Sequence, residues 1–206
     1  MNAQQTDNIK LSENIIIADA DYIDYVAFQL SVQFERIIGR KIPPADISQW
    51  AVNVALDGGL RNNGKEHQTQ IVLIHNADKD RLTNFTPAVY EKELNGQAFR
   101  DQQFGEFVLN AFPVEDIISK EDYFLDLIQT ITTHEEIKRV MIIPNGEEGN
   151  SYDKIRQTLQ TVDNDQRITL FSMKPMPGGN FRQEILGYSL MNALGIKDEE
   201  INKDRI

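Results

Sequence analysis

Short β-branched runs alternate along this chain with stretches of helical period. Ile15-Ile16-Ile17-Ala18 is continuous and apolar, the pattern of a strand buried on both faces. Gln70-Ile71-Val72-Leu73-Ile74, the stretch 106–112, Val140-Met141-Ile142-Ile143 and Ile168-Thr169-Leu170-Phe171 read the same way. Between them lie helices with readable ends. From Tyr22 to Ile38 an apolar stripe of Val26, Leu30, Phe34 and Ile37 ends at Gly39. Asp46 can cap a second helix, with Ile47, Trp50, Ala51 and Val54 inward. Thr86-Pro87 opens a short helix that closes near Gly96. Ser119-Lys120-Glu121-Asp122 reads as a capping box ahead of Phe124, Leu127, Ile128 and Ile131. Ser151 starts a helix carrying Ile155, Leu159 and Val162, and Asn180 starts the last one, which Gly195 ends.

The order β-αα-β-α-β-α-β-α-β-α implies an α/β fold. The expected form is a three-layer α/β/α sandwich around a mainly parallel five-stranded sheet. Residues 1–13 read as a loose polar lead, 14–195 as one domain and 196–206 as a charged tail. In such sheets ligands bind beyond the carboxyl ends of the strands, where strand order reverses. The first and fourth runs both end near acids, so they are expected to be neighbours there.

Composition narrows the chemistry. The chain has 206 residues, enough for a substantial core without covalent staples. It has no cysteine, which excludes disulfides, thiol catalysis and thiolate metal sites. No secretory leader or apolar span of membrane length is visible, so a soluble cytoplasmic protein with no membrane partner is the expectation. The net charge is −11, which opposes non-specific attachment to nucleic acid.

Candidate chemistry lies where the strands end. The first run leads into Asp19-Ala20-Asp21. Carboxylates at the end of a buried strand need partners. They suit a hard cation such as Mg²⁺ or Mn²⁺, and equally the capping of the next helix. The fourth run leads into Pro144-Asn145-Gly146-Glu147-Glu148-Gly149, a loop that offers carboxylates or is a polar turn. His75 reads as a satisfied residue at a strand end, and His67 and His134 stand in hydrophilic contexts; no spacing suggests zinc. No Walker loop, G-x-G-x-x-G or G-x-S-x-G elbow occurs. Pro175-Met176-Pro177-Gly178-Gly179 reads as a stiff turn, and Arg36, Arg40 and Lys41 as a cluster favoured by a helix C-terminus.

This element order and acid placement resemble the PIN-like superfamily, particularly its NYN branch, over roughly residues 14–195. The resemblance implies a divalent-metal-dependent ribonuclease with carboxylates at strand ends. Asp19 matches the acid ending the first strand, and Asp122, or Glu121 beside it, the acid opening the helix before the fourth. That family's loop after the fourth strand reads Ser-Gly-Asp-x-Asp-Phe. Here Glu147 or Glu148 stands in for the acids, each a methylene longer, and Tyr152-Asp153 comes late for the Asp-Phe pair. The implied catalytic and metal set is therefore Asp19, Asp21, Asp122, Glu147 and Glu148, with Mg²⁺ or Mn²⁺ as cofactor and RNA as substrate. The acidity and the altered loop favour an alternative, a non-catalytic interaction module on the same scaffold that engages a protein partner. Asp19-Ala20-Asp21 is also similar to the Asp-x-Asp of haloacid-dehalogenase-like phosphatases, with Ile23 where Thr or Val is usual.

Overall fold

The computed structural model describes residues 11–115, 117–147, 149–160, 162 and 167–201. The central strand β1 (Asn14–Asp19) is wholly buried, and α1 (Ala20–Ile38) follows it without a linker. A two-residue strand β2 (Ala45–Asp46), α2 (Ile47–Asp57) and β3 (Gln68–Asn76) come next. Then follow β4 (Phe85–Thr86), a π-helical turn at Tyr90–Leu94, β5 (Ala98–Asp101) and β6 (Gly105–Val114). The second half runs α3 (Lys120–Thr132), β7 (Arg139–Ile143), α4 (Ser151–Leu159), β8 (Ile168–Ser172), β9 (Arg182–Ile185), α5 (Leu186–Ala193) and α6 (Asp198–Ile201).

Among the described residues the main sheet has seven strands, ordered β5-β6-β3-β1-β7-β8-β9. All its pairings are parallel except β5 with β6. The chain steps outward from β1 through β3 to β6. It then crosses back to β7 on the other flank of β1 and continues outward through β8 to β9. Strand order therefore reverses between β1 and β7, which are neighbours as expected, with Ala18 opposite Ile143.

Alternate residues of the inner strands face two separate apolar layers. Ile16, Ala18, Ile71, Leu73, Met141 and Ile143 pack with α1, α2 and α5. Ile15, Ile17, Val72, Ile74, Val140 and Ile142 pack with α3 and α4. This two-sided burial is why those strands read as unbroken apolar runs.

Several expectations need correction. The sheet has seven strands rather than five, because β5 and β9 add to its two edges. Arg182-Gln183-Glu184 was expected inside a helix starting at Asn180. It pairs with β8 instead, and the helix begins only at Leu186. Thr86 belongs to β4, so the following helical turn starts at Tyr90, where Glu93 accepts from the Ala88 and Val89 amides. His67 is buried, not hydrophilic in context, and its Nδ1 lies 2.7 Å from Glu13. Ile196, expected in the charged tail, is buried in the core. The β5–β6 turn depends on Gly105, at φ +89°: a Cβ there would come within 2.3 Å of the His67 carbonyl oxygen. No helix among the described residues is long and apolar enough to cross a membrane.

Candidate functional site

Asp19 is the last residue of β1 and the N-cap of α1. Its Oδ1 accepts from the Tyr22 amide at 3.0 Å. Asp21 sits in the first turn of α1, and its Oδ2 accepts from the amide of Asn76, the last residue of β3, at 3.0 Å. One carboxylate thus ties β1 to its helix, and the other ties that helix to the neighbouring strand.

Both acids meet the same cation. Lys120, the first residue of α3, donates from Nζ to Asp19 Oδ1 at 2.8 Å and to Asp21 Oδ2 at 2.7 Å. Lys79 reaches Asp21 Oδ1 at 3.0 Å. The side chains of Asp19, Asp21 and Lys120 are 7%, 11% and 20% exposed, so this clamp is largely withdrawn from water.

The electrostatics follow from two acids sharing one lysine. Burial pushes the Asp19 carboxyl up, and the single Lys120 contact does not reverse it. Burial also opposes ionisation of Asp21, but hydrogen bonds from Lys120 and Lys79 outweigh it and hold the carboxyl below its ordinary value. Burial likewise opposes the charge on Lys120, but Asp19 and Asp21 together outweigh it and raise the lysine.

The clamp forms one wall of a cleft of about 700 Å³ at the strand-order reversal. Tyr22 and Tyr25 of α1, Phe124 and Leu125 of α3 and Ile155 of α4 add apolar surface, while Asn76, Ser119, Asn145 and Ser151 add polar groups. Glu147 lines the cleft as well and accepts from the Tyr22 hydroxyl at 3.2 Å. Burial, and then Glu147, raise the Tyr22 hydroxyl well above its ordinary value. Glu121 also lines the cleft, where it accepts from Ser151 Oγ at 2.5 Å and pairs with Lys154.

The structure thus brings Asp19, Asp21 and Glu147 to one cleft. Asp122 does not line it. That residue is exposed, its amide donates to Ser119 Oγ, and its Oδ2 accepts from the same hydroxyl at 2.7 Å, so Ser119 caps α3 through its side chain. Glu148 lies outside the described residues. His75 is buried, stacked on Tyr90 at 3.7 Å, with Nδ1 2.9 Å from its neighbour's carbonyl.

Sequence reasoning missed Lys120. It was read only as part of a helix-opening motif. Yet a cation in the first turn opposes the positive end of the helix dipole, and that mismatch is the signal that it has a carboxylate partner.

A resident divalent cation does not fit these residues as they stand. The position between Asp19 and Asp21 is taken by the Lys120 ammonium. Among the described residues no three His, Asp or Glu side chains gather as a ligand set.

The chain belongs to DUF6621, a family of unknown function, which it matches over residues 8–201. No curated protein and no solved structure matches it.

Proposed function

We propose that this DUF6621 chain is a non-catalytic interaction module whose partner group enters the cleft between the ends of β1 and β7. The observation that carries this reading is the Asp19–Lys120–Asp21 clamp, in which Lys120, with Lys79 on Asp21, neutralises the acids that a metal-dependent nuclease would present to its cation. The cleft is of the size and mixed polarity that suits a small polar molecule or a side chain of a partner protein. Four acids line it, Asp19, Asp21, Glu121 and Glu147; Lys120, Lys79 and Lys154 pair with the first three, which leaves Glu147 without a cationic partner among the described residues. That residual negative charge disfavours a polyanion such as RNA and favours a neutral or cationic group.

Thermal melts separate this reading from the metal-dependent ribonuclease implied by the PIN/NYN resemblance. A ligand that binds only the native state raises the melting temperature. The wild-type protein should show no rise with millimolar Mg²⁺ or Mn²⁺ and no cleavage of a fluorogenic RNA. Small amines or basic peptides that do raise it should lose their effect in Asn145→Trp, which fills the cleft. A clear Mn²⁺ response with RNA cleavage that disappears in Asp19→Asn would defeat the proposal.

One observation favours a second reading. Lys120 reaches Asp19 and Asp21 from a later helix, supplying the downstream lysine of a haloacid-dehalogenase-like phosphatase. Asp19 would then attack phosphorus as the nucleophile, forming an acyl phosphate as the ester P–O bond breaks and the alcohol leaves, and water would hydrolyse the acyl phosphate to release phosphate and restore the carboxylate. Turnover of p-nitrophenyl phosphate that is abolished by Asp19→Asn would establish it.

A further inference from the structure

Among the described residues six large apolar side chains stand exposed, and Tyr25, Phe28 and Ile37 of α1 are three of them. Tyr25 is 52% exposed and Phe28 48%. With Val32 and Arg36 these two follow the 3-4-4 spacing of one helix face. The buried residues Ile23, Val26, Ala27, Leu30 and Phe34 occupy the opposite face. A shallow groove of about 230 Å³ runs beside the stripe, lined by Phe28, Val32, Ile42, Pro43 and Pro44.

The basic cluster at the end of α1 divides in a telling way. Arg40 is held by Glu200 and Lys41 by Glu35. Arg36 makes no ion pair among the described residues and lies on the outward stripe. The stripe is also complementary to itself when reversed. In an antiparallel copy set so that Tyr25 falls opposite Arg36, Phe28 falls within one residue of Val32. Asp24, with no ion pair among the described residues, marks one end of the helix and Arg36 the other, while Asp21, Arg40 and Lys41 are already paired within the chain. Antiparallel packing sets opposite charges and opposite dipole ends together, whereas parallel packing sets like against like.

We infer that the outer face of α1 is a homodimer interface, with a second copy of this chain packed antiparallel along Tyr25, Phe28 and Val32. The partner's Arg36 then lies on the Tyr25 ring, a cation–π arrangement. Because Tyr25 lines the switch-point cleft, each copy lends a guanidinium to the mouth of the other's acidic cleft. A heterologous partner would require no such two-fold pattern in the stripe. One helix face and its groove form a small interface, so the dimer is weak and concentration-dependent. The interface does not depend on what the cleft binds.

Sedimentation equilibrium of the full chain from micromolar to several hundred micromolar tests this. Wild type should pass from monomer to dimer. Phe28→Asp should stay monomeric with an unchanged circular-dichroism spectrum. Arg36→Ala should weaken association roughly two- to five-fold, the scale of an exposed cation–π contact. Orientation is read by cross-linking, which the absence of cysteine makes clean. In the antiparallel register two copies of residue 29 lie about 5 Å apart along the axis and two copies of residue 36 about 16 Å, whereas parallel packing brings both pairs level. Gln29→Cys should form a disulfide dimer under a mild oxidant, and Arg36→Cys should not. A wild type that stays monomeric throughout, a dimer indifferent to Phe28→Asp, or equal cross-linking at both positions would each overturn the inference.

Discussion

Replacing Lys120 by methionine keeps the aliphatic stem and removes the charge that holds Asp19 and Asp21 together. Deleting one member of a buried ion pair costs about 3–5 kcal/mol, because the other is left without compensation. Here the loss is smaller. Asp19 keeps the Tyr22 amide, and Asp21 keeps the Asn76 amide and Lys79. The clamp also borders an open cleft that water can enter. About 2–3 kcal/mol is the expected cost at pH 7, which for a domain of this size lowers the melting temperature by about 5–10 °C. The deficit has a pH signature. Asp19 is already raised by burial, and without Lys120 it rises further. A carboxyl whose folded-state value lies above its unfolded value costs stability while it is ionised, and that cost fades as pH falls through the folded-state value. Lys120→Met should therefore approach wild type as the pH is lowered from 7 towards 4. Adding Asp19→Asn should recover part of the loss at pH 7, since asparagine still caps α1 and brings no charge. Urea unfolding of the four proteins of this cycle at two pH values measures all three effects. A Lys120→Met variant within about 0.5 kcal/mol of wild type at pH 7, or a double variant less stable than the single one, would refute the clamp.

Two further outcomes concern the same helix terminus. The raised Lys120 contributes stability that is fully present below its ordinary value of 10.5 and is lost as pH rises through the higher folded-state value. Wild type should therefore lose a component of stability above about pH 10.5 that Lys120→Met does not show, read as the difference between their alkaline melting curves. Asp122→Ala should cost about 0.5–1 kcal/mol in urea unfolding through loss of a first-turn acid and of the acceptor for the Ser119 hydroxyl, and should leave any cleft ligand's affinity unchanged.

The parts of this fold that were legible are the parts buried on both sides. Ile15-Ile16-Ile17 and Val140-Met141-Ile142-Ile143 have apolar neighbours above and below the sheet, so every position is apolar and the run announces itself. The edge strands β5 and β9 have polar positions facing water, and Arg182-Gln183-Glu184 carries no pattern that separates a short edge strand from a helix start. The place of the site was legible because the β/α alternation puts a crevice beyond the strand ends. Its chemistry was only half legible. Periodicity reports which residues face inward, not how far a lysine stem reaches across a cleft from another helix.

Asp19 and Asp21 look equivalent in sequence, and the structure separates them. Asp21 is engaged at both oxygens: Oδ2 takes Lys120 and the Asn76 amide, and Oδ1 stands against Lys79. It is a structural acid, held ionised by those cations, and it fastens α1 to β3 and α3. Asp19 commits a single oxygen. Its Oδ1 takes both the Tyr22 amide and Lys120, so capping and clamping converge on one atom. At this position a helix cap and a cleft-lining residue coincide. Capping fixes the carboxylate's orientation, while among the described residues Oδ2 has no hydrogen bond of its own in a residue that lines the cleft. An acid held rigid by one oxygen and raised by burial can accept from a ligand when ionised and donate to it when protonated. Within the pair, Asp19 is consequently the residue at which ligand recognition and pH would meet, and Asp21 the one whose loss would be felt mainly as loss of fold.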